Sequence, residues 1–150
     1  MANIDSTSLN ANAFMQAFGQ GIVLDGTIAL AANPTAADVI RVMRIPAGTK
    51  VSGLIVGNSD LDSNGAPTLV VGIGYTPVVS ADGPTASAAY FQAAGDTVLQ
   101  AANAGKLYRN FTAITFDKDV YLTMTVGTAS ATFAAGSIHV TVLGEARGTK

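Results

Sequence analysis

The chain has 150 residues, of which 49% are apolar and 12% charged, with a net charge of −2, one histidine and no cysteine. That length fits one domain, or one domain with a short arm, able to bury a core without a metal or disulfide staple. The lack of cysteine excludes disulfides, zinc–thiolate sites and cysteine nucleophiles, and dispersed Lys and Arg on a net-negative chain give no footprint for nucleic acid.

Residues 1–19 read as an N-terminal arm, distinct from the rest. Ser6, Thr7 or Ser8 could cap a short helix presenting Leu9, Ala13 and Ala17, with Phe14 and Phe18 close by. Such a run is not stable alone in water. It is expected to pack over an open end of the domain, to dock on a neighbouring chain, or to stay a disordered tail. An acid and no base precede the first apolar residues, so this is not a signal peptide, and Ala2 does not fit the myristoylation pattern. No apolar run approaches the roughly 18 residues of a membrane span, so no membrane partner is expected.

Residues 20–150 read as a single β-domain. Ile22, Leu24, Gly26, Ile28 and Leu30 alternate with small or polar residues, with Asp25-Gly26 marking a hairpin or bulge. In a second strand over 38–45, strict alternation puts Val39, Arg41, Met43 and Ile45 on one face and Ile40, Val42 and Arg44 on the other. Each face then carries one Arg among apolar residues, which indicates partial cover on both sides. Pro46-Ala47-Gly48-Thr49 is a turn. Strands over 51–57 and 68–75 follow, and Gly72 and Gly74 on one face of the latter require another backbone or ring nearby.

Residues 86–94 are expected to form one or two helical turns anchored by Tyr90 and Phe91. A short strand over 97–100 and a turn at Asn103-Ala104-Gly105 come next. Leu107, Phe111, Ile114 and Phe116 mark a further apolar stretch. The cleanest alternation is Val120, Leu122, Met124 and Val126 against Tyr121, Thr123 and Thr125. The last strand, 137–143, turns Ile138, Val140 and Val142 inward, and 144–150 reads as a mobile charged tail. About eight short strands without a long amphipathic helix indicate an all-β, antiparallel β-sandwich of jelly-roll type. Spacing alone leaves an immunoglobulin-like strand order open.

Candidate chemistry is sparse. Asp60-Leu61-Asp62-Ser63-Asn64-Gly65 matches the first half of a calcium loop, but position twelve falls on Val71 inside a strand, so a structural turn is the preferred reading. His139 lies on the polar face of an edge-like strand beside Ser137 and Thr141, with no nucleophile elbow in the chain. Gly72-Ile73-Gly74 lacks the third glycine and helix of a dinucleotide site. Asn110-Phe111-Thr112 fits a glycosylation pattern only incidentally, without a secretory signal. No catalytic residue, metal site or cofactor is assigned, and no enzyme is expected. So small a share of charge points to a surface covered by other protein chains, although many small secreted β-domains are also charge-poor.

Within 38–75, the run Asp-Val-Ile-Arg-Val-Met-Arg-Ile-Pro-Ala-Gly-Thr-Lys-Val, the Asp-Leu-Asp loop and Pro-Thr-Leu-Val-Val-Gly-Ile-Gly-Tyr resemble the capsid cement, or head decoration, proteins of tailed bacteriophages. The resemblance continues through 88–94, 121–126 and 135–142, covering about 38–143 and leaving 1–33 outside. It implies a jelly-roll protein, made in the host cytoplasm, that binds the outer surface of the virion head as dimers or trimers. Its partners would be the major capsid protein, whose neighbouring subunits it bridges and stabilises, and other copies of itself. Ile4, Leu9, Phe14 and Phe18 of the arm, with Arg41 and Arg44, are the expected contacts. The alternative is a carbohydrate-binding or adsorption module of a virion fibre or tail, which the lack of Trp and the few Tyr disfavour; another structural virion component, such as a tail protein, is a third reading.

Overall fold

A computed structural model describes residues 1–6 and 21–148. The expected arm helix, with Thr7, Leu9, Phe14 and Phe18, falls outside the described residues. Ten strands occur among them: β1 (Asn3–Asp5), β2 (Gly21–Leu30), β3 (Val39–Ile45), β4 (Thr49–Asn58), β5 (Val70–Pro77), β6 (Ser87–Asp96), β7 (Asn103–Tyr108), β8 (Ile114–Thr115), β9 (Val120–Thr128) and β10 (Gly136–Ala146). One sheet runs β1-β3-β9-β5-β6; the other runs β2-β10-β4-β7, with β8 also on β4.

Without β1 and β8, eight strands remain in two four-stranded antiparallel sheets. Successive strands cross between the sheets except at the β5–β6 hairpin, which is the double Greek key of a jelly roll. The all-β sandwich thus has the expected jelly-roll order, not the immunoglobulin-like one. Between the sheets lies a core that includes Ile40, Leu54, Ile73, Leu122, Met124 and Val140, all fully buried. Among the described residues no helix is long and apolar enough to cross a membrane.

Several local expectations give way to tertiary context. Asp25-Gly26 makes no hairpin: β2 is continuous, with Ile22, Leu24, Gly26, Ile28 and Leu30 inward. A Cβ on Gly26 would sit 2.7 Å from the Met43 Cβ on the facing sheet, so glycine there serves close packing between layers. Strict alternation fails in β3. Arg41 and Met43 oppose the consecutive residues Thr123 and Leu122, so Val42 is a bulge residue. The bulge resets the phase and puts Arg41 and Arg44 on the same outer face.

Residues 86–94 are not helical: from Ser87 on they belong to the ten-residue strand β6. Alanine's helix preference is small against edge pairing and burial of Phe91 in an aromatic cluster. The Phe91 and Phe111 ring centroids are 4.9 Å apart, and those of Tyr75 and Phe116 are 4.8 Å apart. Gly72 and Gly74 do meet another backbone: Cβ atoms there would lie 3.0 Å from the Ala88 carbonyl oxygen and 1.8 Å from that of Ser87.

The expected strand over 97–100 is instead a 3₁₀ turn, Val98–Gln100. It follows Asp96, whose carboxylate accepts the Val98 amide at 2.8 Å. Asn103, Ala104 and Gly105 open β7 and are not a turn. At the C-terminus, residues 144–146 continue β10, Ala146 is buried, and the Arg147 amide donates to the Gly48 carbonyl at 2.7 Å. The expected tail is therefore strand up to residue 146.

Candidate assembly surface

The first described residues are seated along the edge of β3. β1 pairs parallel with it, Asn3, Ile4 and Asp5 lying opposite Val39, Ile40 and Arg41. Side chains fix this register. Asp38 accepts the Ala2 amide at 2.8 Å and the Thr35 amide and hydroxyl at 2.9 Å each. The Ala2 amide, then the two Thr35 donors, hold the Asp38 carboxyl below its ordinary pKa against a smaller opposing effect of burial. Arg41 donates to both oxygens of Asp5, at 2.6 and 2.9 Å, with its guanidinium 5.0 Å from the Tyr121 ring centroid. Ser6 donates its amide to Arg41 (3.1 Å) and its hydroxyl to the Thr27 carbonyl of β2 (2.6 Å). Ile4 is half-buried and packs against the core.

Arg44 has a different role from Arg41. It pairs with Asp119, which also accepts the Ala47 amide at 2.6 Å. The pair therefore fastens the 46–49 turn, where Gly48 takes a φ of 80°, to the entry of β9. Burial raises the Asp119 pKa, but the hydrogen bonds from Arg44 and Ala47 and the charge of Arg44 bring it below its ordinary value.

Beside this turn is a cleft of about 410 Å³ lined by Arg44, Val79, Asp82, Lys118 and Asp119, among others. A second cleft, of about 670 Å³, lies between the β1–β3 edge and the loop after β5, with Met1, Val39, Arg41, Pro77 and Pro84 in its walls. Met1 and Val79, each more than half exposed, give the rims apolar character.

The 60–65 loop is built around Asp62, which is 1% exposed. Its carboxylate accepts four backbone amides: Thr68 at 2.7 Å, Leu69 at 3.0 Å, Thr132 at 3.0 Å and Ala131 at 3.2 Å. Burial pushes the carboxyl pKa up, and the four donors together outweigh it and hold the group far below its usual range. Asp60 and Asn64 accept the amides of Asp62 and Ala66 at 3.0 and 2.9 Å. These bonds describe the structural turn read from the sequence. Among the described residues, no three His, Cys, Asp or Glu are placed to hold a metal ion together.

His139 lies on β10, a central strand between β2 and β4 and not the expected edge. It is half exposed on the outer face, with Nδ1 2.9 Å from the Thr27 hydroxyl and Nε2 3.7 Å from Asp25. Asp25 also accepts the Thr141 hydroxyl at 2.6 Å. The group is a network across two strands, β2 and β10.

One buried polar cluster escaped the sequence reading. Asp96 accepts the Tyr108 hydroxyl at 2.9 Å and the Lys106 ammonium at 3.0 Å, tying β6 of one sheet to β7 of the other. Burial first, then the hydrogen bond to Asp96 and its charge, push the Tyr108 phenol upward. Its only sequence signal is an alternating Lys-Leu-Tyr, which does not identify Asp96 as the partner.

Taken together, these features define a jelly-roll protein whose N-terminal strand is fastened by side chains. Two chains from solved structures described as phage capsids are similar to it over most of its length. A chain from a structure described as the capsid of Ralstonia phage GP4 matches with a TM-score of 0.78 and 21% identity, over 99% of both chains. A chain from the Cyanophage Pam1 capsid asymmetric unit matches with a TM-score of 0.69 and 26% identity, over 91% of this chain and 95% of that one. No protein family matches the chain by sequence, and no curated protein does.

Proposed function

We propose that the protein is a structural component of a bacteriophage virion that sits on the outer surface of the head and stabilises it by bridging neighbouring major capsid subunits. The observation that carries this reading is the whole-length likeness to chains of two phage capsids, with TM-scores of 0.78 and 0.69. The low share of charge, 12%, supports it, because a surface covered by neighbouring chains has less need of charge for solubility. The work is mechanical: many copies on a symmetric lattice add avidity without any single strong contact.

Ile4, Leu9, Phe14, Phe18, Arg41 and Arg44 are the contact residues of this reading. Ile4 and Arg41 act through the β1 seat, and Arg44 borders the 410 Å³ cleft. The test is co-sedimentation with undecorated heads. Deleting residues 1–19 removes β1 and leaves the eight jelly-roll strands, so the truncated protein is expected to fold and to lose head binding. Normal binding by a folded truncated protein would overturn the role given to the arm.

A further inference from the structure

From the β1 seat we infer that it is a strand-exchange site, occupied in trans by residues 2–6 of a second copy of this chain. The inference rests on the assembly reading for its setting, while its geometry stands alone. β1 is a parallel strand in a sandwich whose other strand pairs, among the described residues, are antiparallel. The jelly roll is complete without it.

The seat reads this chain's own order of residues. Asp38 takes the Ala2 amide, Ile40 lies beside Ile4, Arg41 grips both oxygens of Asp5, and the Thr27 carbonyl takes the Ser6 hydroxyl. An apolar residue, an acid and a hydroxyl in succession satisfy it, and a second copy supplies that order unchanged. Domain exchange of this kind keeps every contact and changes only which chain makes it. The strand is three residues long with one half-buried apolar side chain, so leaving the seat in cis exposes little apolar surface.

The covalent connection permits exchange. Fourteen residues, 7–20, separate Ser6 from Gly21, and a chain of that length spans up to about 50 Å. A 150-residue domain has a radius of gyration of about 15 Å, so residues 2–6 can reach a neighbour's seat while β2 stays in its own sandwich.

The chain has no cysteine, which makes disulfide trapping clean. Asn3 and Val39 are register partners outside the core, and paired β residues fall within the Cα separation a disulfide needs. Full-length Asn3→Cys protein is mixed with isotopically heavy Val39→Cys protein under mild oxidation and resolved by mass. Exchange gives heavy–light covalent dimers at twice the 15.1 kDa chain mass, at least tenfold above a control pairing Asn3→Cys with Thr141→Cys on the other sheet. Adding Arg41→Ala to the Val39→Cys chain lowers that yield several-fold. Ile4→Cys with Ile40→Cys, also register partners and outside the Asp5–Arg41 ion pair, serves if Val39→Cys fails to fold. A heavy–light yield no higher than the control, with a chain carrying both Asn3→Cys and Val39→Cys closing its disulfide only within itself, overturns the inference. Heads decorated by wild-type protein alongside that negative result would leave the virion role standing; trapped dimers without head binding would do the reverse.

Discussion

Asp62 ties the 60–65 loop to the residues just before β5 through the Thr68 and Leu69 amides and to the 129–133 segment through those of Ala131 and Thr132. Replacing it by Ala leaves those donors without their acceptor, and each buried unsatisfied group costs roughly 1–3 kcal/mol before relaxation. Asp62→Ala is therefore expected to lower stability by about 3 kcal/mol and the melting temperature by roughly 10 °C, read by thermal denaturation. The pH dependence has a definite sign. The folded carboxyl titrates below its unfolded value, so its contribution is complete above the ordinary carboxylate range and is lost as pH falls through the folded pKa. Unfolding at a series of acidic pH values should show a shallower loss for Asp62→Asn than for wild type. The turn itself was legible because Val71 occupies the position where a calcium loop needs an acid. The donors were not, since Ala131 and Thr132 lie about 70 positions away and nothing local announces them.

At the scale of elements, backbone approach decides what sequence patterns leave open. A Cβ on Gly74 would meet the Ser87 carbonyl at 1.8 Å and force β6 off β5, whereas one on Gly65 meets nothing within 4 Å. Gly74→Ala should cost about 3 kcal/mol in urea denaturation, and Gly65→Ala should stay within about 0.5 kcal/mol of wild type. Tyr108→Phe, which removes a donor from buried Asp96, should cost about 1–2 kcal/mol in the same assay. The need for a close backbone at Gly72 and Gly74 was readable from glycine on one face of a strand. The strand that supplies it was not, because its alanines favour helix locally and only pairing with β5 makes them extended. Likewise Val42 and Met43 are both apolar, so no residue betrays the bulge that brings Arg41 and Arg44 to one face. Those arginines read as one charge on each of two partly covered faces of a single strand, and the structure gives them Asp5 and Asp119 as partners.

For the whole molecule, strand count and turn punctuation sufficed for an all-β sandwich, and the structure adds the winding order that makes it a jelly roll. The N-terminal strand was the least legible part. Its three residues carry no alternation, and only Asp38, Arg41 and Thr27, from two other strands and the loop before β3, show that it has a seat. The surface proposed for assembly is thus distributed over residues remote in sequence. Electron microscopy of the purified phage particle tests the central claim most directly. Jelly-roll density of this shape is expected on the outer surface of the head, in many symmetry-related copies, each spanning neighbouring major capsid subunits. Particles that lack the protein, or that hold it only at the tail, would contradict it.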